Sequence, residues 1–149
     1  MIKYVLLDNI RSMYNVGSFF RTCDGAGISK LILTGYTATP PRKEISKTAL
    51  HADEHLPWEH FADPMDAVRT LKNDGFTIIA VEKNEESKDF RQVTLSSHEK
   101  VCFIFGNEVD GVREEILEQS DFVVHLPMLG IKESLNVAVS GGAILYHYL

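Results

Sequence analysis

Five short apolar runs divide the chain, and each is bounded by residues that favour turns. The runs are continuous rather than alternating, which is typical of strands buried on both faces of a parallel sheet. No internal repeat, linker or low-complexity segment interrupts the series. The predicted strands cover residues 4–7, 31–34, 76–81, 101–105 and 122–126.

Helical patterns occupy the intervals between these runs. In residues 16–23 the apolar positions form one stripe, with Asn15 placed to cap the helix and Gly25 to end it. A second helix is predicted to begin at the Asp63-Pro64 pair, a cap followed by a first-turn proline, and to stop at Gly75.

Two further helices are predicted towards the C-terminus, a short one at residues 113–119 and a longer one at residues 134–148. The longer segment is apolar on more than one face and therefore needs a second packing partner. Its Ser140-Gly141-Gly142-Ala143 run removes bulk, so another backbone can approach closely, either within the fold or across a dimer interface.

Strands that alternate with helices predict an α/β fold with a mostly parallel sheet flanked by helices. The 149 residues match the usual size of one domain, so we expect a single domain over residues 1–149. Ligands in such sheets bind beyond the carboxyl ends of the strands, and the loops at those ends are where chemistry is expected.

The charge balance bears on the choice of partner. A formal net charge of −6 disfavours a polyanion, because nonspecific affinity for nucleic acid comes from Lys and Arg. Basic residues nevertheless cluster in the first third of the chain, and an RNA partner requires them to share a face. They are Arg11, Arg21, Arg42, Lys43 and Lys47.

No apolar stretch approaches the roughly 20 residues needed to cross a bilayer, and the N-terminal apolar run is too short for a signal peptide. We therefore expect a cytoplasmic protein without a membrane partner. Cys23 and Cys102 lie inside apolar patterns and lack the spacing of a zinc or redox motif, which predicts two buried thiols.

Two glycine motifs are excluded by their context. Gly25-Ala26-Gly27 follows a helix and precedes a strand, the reverse of a dinucleotide-binding turn. Gly106 and Gly111 have the separation of a phosphate-binding loop, but Val112-Arg113 follows where Lys and Ser or Thr are required.

One segment gives a competing chemical signal. His51-Ala52-Asp53-Glu54-His55 fits the H-x-x-E-H pattern of a zinc peptidase family. Pro57 closes the segment almost at once, and no third ligand is evident at motif spacing. We therefore expect no metal site, and a zinc hydrolase that uses His51 and His55 is kept as an alternative.

Three separated blocks form a more specific pattern. The first runs from Asn15 to Thr22, and the second runs from Phe103 to Gly111. The third begins with Leu126-Pro127-Met128 and continues through residues 134–138. Each block is weak alone, but their order and spacing over essentially the whole chain resemble the three motifs of the SpoU, or TrmH-like, branch of the SPOUT methyltransferases.

The resemblance implies a C-terminal segment that threads a loop to form a deep trefoil knot, whose loops bind S-adenosyl-L-methionine (SAM). It also implies a homodimer that methylates a ribose 2′-hydroxyl of tRNA or rRNA. Some members have a separate N-terminal RNA-binding domain that this sequence does not show, and tRNA is therefore expected rather than rRNA. A knotted module that binds SAM or a nucleotide without catalysis is the other alternative.

Matched residue by residue, the resemblance implies two sets of site residues. Contacts to SAM are expected from Val81, Gly106, Leu126, Met128, Ser134 and Leu135. Roles in catalysis or in the architecture of the active site are expected for Asn15, Arg21, Glu108, Ser134 and Asn136.

Chemistry further limits the role of Arg21. A guanidinium is permanently protonated in proteins, so we expect Arg21 to bind the phosphate beside the target ribose and to stabilise negative charge on oxygen, not to act as a base. Glu108 and Asn136 are expected to maintain the geometry of the active-site loops. Ser134 is expected to cap the last helix and to help orient Arg21.

Overall fold

Seven parallel strands form a single sheet in the computed structural model, which describes residues 1–149. The strands are β1 (Ile2–Asp8), β2 (Lys30–Thr34), β3 (Trp58–Phe61), β4 (Thr77–Val81), β5 (Lys88–Asp89), β6 (Lys100–Phe105) and β7 (Phe122–His125). Their order across the sheet is β3-β2-β1-β6-β4-β7-β5, and every neighbouring pair is parallel. The carboxyl ends of all strands therefore lie along the same edge.

Helices cover both faces of this sheet. They are α1 (Met13–Gly25), α2 (Lys43–Ala49), α3 (Ala52–His55), α4 (Pro64–Asn73), α5 (Glu114–Gln119) and α6 (Val137–His147). Helices α1, α2, α3 and α6 pack together on one face, whereas α4 and α5 pack on the other. The predicted α/β class with a mostly parallel sheet is confirmed.

A hydrophobic core lies on each face of the sheet. Along β1, Val5 and Leu7 belong to the core that includes α1, while Leu6 between them belongs to the core that includes α4. All three side chains are fully buried. A strand buried on both faces needs an apolar residue at every position, which explains why the central strands appear as continuous apolar runs.

Two helix caps differ from the prediction. Helix α1 begins earlier than expected and is capped by Ser12, whose hydroxyl accepts a hydrogen bond from the Asn15 amide at 3.2 Å. Helix α6 begins later and is capped by Asn136, whose Oδ1 accepts from the Ala138 amide at 2.8 Å. The prediction that Ser134 caps the last helix is therefore wrong, because the chain turns helical only after Asn136.

Helix α6 packs directly on α1 through Gly141. A Cβ built there would lie 2.4 Å from the ring of the buried Phe19, so only glycine allows this helix separation. The close approach expected of the small-residue run therefore occurs within the fold. The adjacent Gly142 has no atom within 4 Å of its Cβ position.

Cys23 and Cys102 are fully buried and unpaired, which confirms the prediction of two buried thiols. Burial raises the pKa of both thiols. Because the thiolate is the reactive form, neither cysteine is suited to nucleophilic chemistry.

None of the six helices combines the length and the apolar composition needed to cross a bilayer. The threading of the C-terminal segment through a knotted loop stays a prediction from the resemblance.

Candidate functional site

A cavity of about 300 Å³ opens at the carboxyl edge of the sheet. It is lined by the last residues of three neighbouring strands, Val81 of β4, Phe105 of β6 and His125 of β7. The loops that follow these strands supply the rest of the lining. This is the edge of a parallel sheet at which ligands bind.

The loop after β6 folds back on itself between two glycines. The Asn107 amide donates to the Gly111 carbonyl at 3.1 Å, and the Gly111 amide donates to the Asn107 carbonyl at 2.9 Å. A Cβ at Gly106 would lie 2.3 Å from the Gly111 oxygen. The Asn107 Oδ1 also accepts from the amides of Val109 and Asp110, each at 2.9 Å. The glycines therefore make the loop compact beside the cavity.

Glu82, the first residue after β4, holds the end of the same loop. Its Oε2 accepts a hydrogen bond from the Val112 amide at 2.8 Å. Gly111 has a φ of +73°, a backbone conformation that favours glycine, and a Cβ there would lie 1.9 Å from that oxygen and would displace the Glu82 carboxylate. Sequence reasoning missed Glu82, although its place directly after a buried strand was a signal that could have found it.

Glu108 links the loop after β6 to the start of α1. Its carboxylate accepts hydrogen bonds from the backbone amides of Arg11 at 2.7 Å and Ser12 at 2.9 Å, and from Asn15 Nδ2 at 3.1 Å. Partial burial alone would raise the pKa of this carboxyl, but the hydrogen bonds outweigh burial and lower the pKa below its usual value. Glu108 is thereby held ionised, and the first two sequence blocks meet at its side chain.

Asn136 brings the third block to the same place. While its Oδ1 caps α6, its Nδ2 donates to Asn15 Oδ1 at 3.4 Å. Ser134 and Leu135 lie just before it in an exposed loop and line the cavity. Residues more than a hundred positions apart therefore converge on one cavity.

The structure brings most of the predicted site residues together. The cavity lining includes Val81, Gly106, Leu126, Ser134 and Leu135 from the set expected to contact SAM, and Glu108, Ser134 and Asn136 from the set expected in catalysis. Asn15 does not line the cavity itself, but its side chain donates a hydrogen bond to Glu108, which does. Met128 lies outside the lining, because the chain beyond Leu126 leaves the cavity and returns to it at Glu133.

Acidic side chains dominate the charge of the cavity. Glu82, Glu108, Asp110 and Glu133 line it, whereas Lys83 is the one lysine or arginine there. Such a lining favours a ligand that carries positive charge and disfavours a polyanion.

Arg21 lies in a separate groove beside α1 and α2. A Cβ at Gly17 would lie 2.2 Å from the Ile45 carbonyl oxygen, so this glycine of the first block allows the two helices their close approach. The exposed Arg21 and Ser134 line different depressions, so one chain alone does not bring them together. The polar groups that line the groove belong to Arg21, Lys47, Asp24, Ser18, Thr22, Thr48 and Tyr146.

His51 and His55 flank a single helical turn on the surface. The His51 ring lies 3.5 Å from the Glu54 carboxylate, and both side chains are largely exposed. No group of three or more His, Cys, Asp or Glu side chains suited to hold a metal ion occurs in the structure. The zinc hydrolase alternative therefore gains no support from the geometry.

Comparison with known proteins agrees with the geometry. A family model described as the SpoU rRNA Methylase family matches residues 3–146. The chain is 34% identical over 142 residues to a tRNA (guanosine(18)-2′-O)-methyltransferase of Thermus thermophilus, which covers 95% of this chain and 71% of that protein. It is 33% identical over 141 residues to a 23S rRNA (guanosine-2′-O-)-methyltransferase of Neisseria meningitidis, which covers 95% of this chain and 55% of that protein.

A solved structure gives a similar match in three dimensions. The AdoMet-bound rRNA methyltransferase from Sinorhizobium meliloti superposes with a TM-score of 0.91 at 30% identity, over 97% of this chain and 54% of that chain. This chain therefore spans only part of the length of each of these relatives. The resemblance predicted from the three blocks is confirmed, and the chain belongs to the SpoU rRNA methylase family.

Proposed function

We propose that the chain is a SAM-dependent RNA methyltransferase that transfers a methyl group to a ribose 2′-hydroxyl. The observation that supports this most strongly is the convergence of the three sequence blocks on one cavity through Glu108, Asn15 and Asn136. Two relatives at 33% and 34% identity are named as 2′-O-methyltransferases of RNA.

The cavity suits SAM on chemical grounds. SAM carries a sulfonium and an ammonium group against one carboxylate, so its net charge is positive, and four carboxylates with a single lysine line the cavity. Apolar contacts from Val81, Leu126 and Leu135 suit the uncharged part of a small organic ligand. Gly106 and Ser134 also line the cavity. When bound, SAM supplies an electrophilic methyl group, and the residues of the chain supply position and charge.

The Arg21 groove suits the phosphate beside the target ribose. Arg21 and Lys47 supply two cations against the single carboxylate of Asp24, and four hydroxyl-bearing residues line the groove with them. The planar guanidinium can bind phosphate through two hydrogen bonds and stabilise negative charge that develops on the ribose oxygen. The hydroxyl proton leaves through another group or through water.

We infer that a homodimer completes the site, with Arg21 of one copy placed at the cavity of the other. Arg21 lies six residues beyond Asn15 on α1, which is roughly 9 Å along the helix axis. Large apolar residues on α1 and α6 are exposed, as Tyr14, Val139 and Tyr146 are by 49%, 56% and 50%. These side chains supply apolar surface that a second copy of the chain could cover.

We propose tRNA rather than rRNA as the substrate. The Thermus thermophilus relative, of which this chain covers the larger share, is named as a tRNA enzyme, whereas the Neisseria meningitidis relative is named as an rRNA enzyme.

Transfer of labelled methyl groups tests the function. The protein is incubated with methyl-labelled SAM and separate pools of tRNA and rRNA, and we expect label in RNA, mainly in tRNA. Leu135→Trp, which fills the cavity, is expected to abolish transfer, whereas Leu129→Trp in the same loop is a control because Leu129 is 98% exposed and does not line the cavity. Unlabelled RNA, or equal transfer by both variants, would contradict the proposal.

A further inference from the structure

Tyr36 is an exposed aromatic residue whose backbone amide and side-chain hydroxyl are both hydrogen-bonded. It lies just after β2, and 60% of the residue is exposed. Its amide donates to Asn9 Oδ1 at 3.0 Å, and its hydroxyl accepts from Asn107 Nδ2 at 2.7 Å. The ring is therefore fixed in place although most of its surface contacts solvent.

The turn that presents Tyr36 is itself well anchored. Gly35 has a φ of +64°, and a Cβ there would lie 2.0 Å from Asn9 Oδ1. On the other side, the buried Thr37 hydroxyl donates to the Thr34 carbonyl at 2.8 Å and accepts from the Ile10 amide at 3.0 Å. A residue held this firmly loses little conformational freedom when a ligand binds to it.

Tyr36 also borders the candidate active site. Its hydrogen-bond partner Asn107 lines the cavity and shapes the loop after β6. Only the Asn107 side chain therefore separates the Tyr36 hydroxyl from the cavity in which the methyl donor is proposed to bind.

We propose that Tyr36 is a stacking platform for an unpaired base of the RNA substrate, next to the ribose that receives the methyl group. This inference rests on the proposed function. For a ribose hydroxyl to reach the cavity, its nucleotide has to leave the base stack, and exposed aromatic rings bind such bases with little sequence preference. Because the cavity is acidic, affinity for RNA has to come from outside it, from the Arg21 groove and from stacking.

Binding of unfractionated tRNA over a range of salt concentrations separates stacking from charge. We expect Tyr36→Ala to weaken binding about tenfold at every salt concentration, because a lost stacking contact releases no counterions. Tyr36→Phe is expected to lose clearly less affinity than Tyr36→Ala, since it keeps the ring and loses only the hydrogen bond to the hydroxyl. Asn107 Nδ2 still has the Asn9 carbonyl as an acceptor at 2.8 Å. The control Lys47→Ala is expected to reduce the slope of log affinity against log salt by about one.

Three results would overturn the stacking role: unchanged affinity in Tyr36→Ala, an equal loss in Tyr36→Phe, or a loss of SAM binding or of the dimer in Tyr36→Ala. RNA binding by the wild type without methyl transfer would contradict the proposed function. The RNA affinities of the Tyr36 variants would still test the stacking role in that case. Absence of RNA binding by the wild type would contradict both.

Discussion

The cavity and the Arg21 groove carry opposite charges at the scale of single residues. Four carboxylates line the cavity, whereas Arg21 and Lys47 line the groove beside α1 and α2. This separation reconciles a net charge of −6 with RNA binding, because phosphate contacts need basic residues only where the RNA backbone lies. We therefore propose that Arg21 binds the substrate, while the hydrogen bonds of Glu108 hold the loops together.

Replacing Arg21 with lysine separates the charge of the guanidinium from its shape. Arg21→Lys keeps a cation but loses the planar fork, so we expect methyl transfer to slow by roughly 10- to 100-fold while the pH dependence of the rate is unchanged. Initial rates measured across a range of pH test this. A nearly active variant with a strongly shifted pH profile would instead indicate that residue 21 acts as the base.

The hydrogen bonds to Glu108 predict a pH-dependent contribution to stability. Because folding lowers the pKa of this carboxyl, its contribution is fully present above the ordinary value of 4.5 and is lost as the pH falls through the lower folded value. At neutral pH we expect Glu108→Gln to lower the free energy of unfolding by about 1 kcal/mol, a modest amount because the carboxylate is only partly buried.

Denaturant unfolding at neutral and acidic pH tests the Glu108 prediction. The difference between wild type and Glu108→Gln should shrink below about pH 4.5, whereas Glu85→Gln, an exposed glutamate without hydrogen bonds, should match the wild type throughout. A Glu108 difference that grows on acidification would show that the carboxylate is not stabilised by its donors.

Single site residues were predictable from the sequence only where they belong to a recognisable block. Glu108 and Asn136 lie in such blocks, and the structure places both at the cavity. Glu82 and Tyr36 are isolated residues at the ends of strands, and their roles depend on partners about thirty and seventy positions away in the chain. A position just after a strand indicates that a residue lies at the ligand-binding edge of the sheet, but periodicity and spacing do not identify its hydrogen-bond partner.

At the scale of elements, the contact between α1 and α6 depends on one glycine. We expect Gly141→Ala to lower the free energy of unfolding by about 1–3 kcal/mol, because the new methyl group meets the buried ring of Phe19. Gly142→Ala is the matched control and should raise it by about 0.5–1 kcal/mol, since its Cβ position is open and alanine favours a helix. Unfolding by denaturant measures both variants. Equal effects of the two substitutions would contradict the packing of Gly141 on Phe19.

Burial determines which elements the sequence pattern could predict. Strands β1, β2, β4, β6 and β7 agree with the predicted strands to within two residues at each end, because their apolar runs are continuous. Strand β3 was missed because it is an edge strand whose residues alternate between exposed and partly buried, and β5 was missed because it has only two residues. Helix α2 was missed because Ile45 and Ala49 are its only buried residues.

At the scale of the whole molecule, a shared site predicts that two inactive variants restore each other. Arg21→Ala and Leu135→Trp are each expected to be inactive alone. After subunit exchange, half of the dimers are hybrids with one intact site each, so the mixture should regain about a quarter of the wild-type rate. An inactive mixture that is shown to contain hybrids would indicate that each cavity uses Arg21 of its own chain.

Alkaline hydrolysis of the methylated RNA tests most directly whether the methyl group goes to a ribose oxygen. Alkali cleaves RNA through a free 2′-hydroxyl, so a nucleotide methylated at that oxygen stays joined to its 3′ neighbour. After incubation of tRNA with the protein and methyl-labelled SAM, we predict that the label appears in alkali-resistant dinucleotides. Label found in mononucleotides with a methylated base would contradict the assignment.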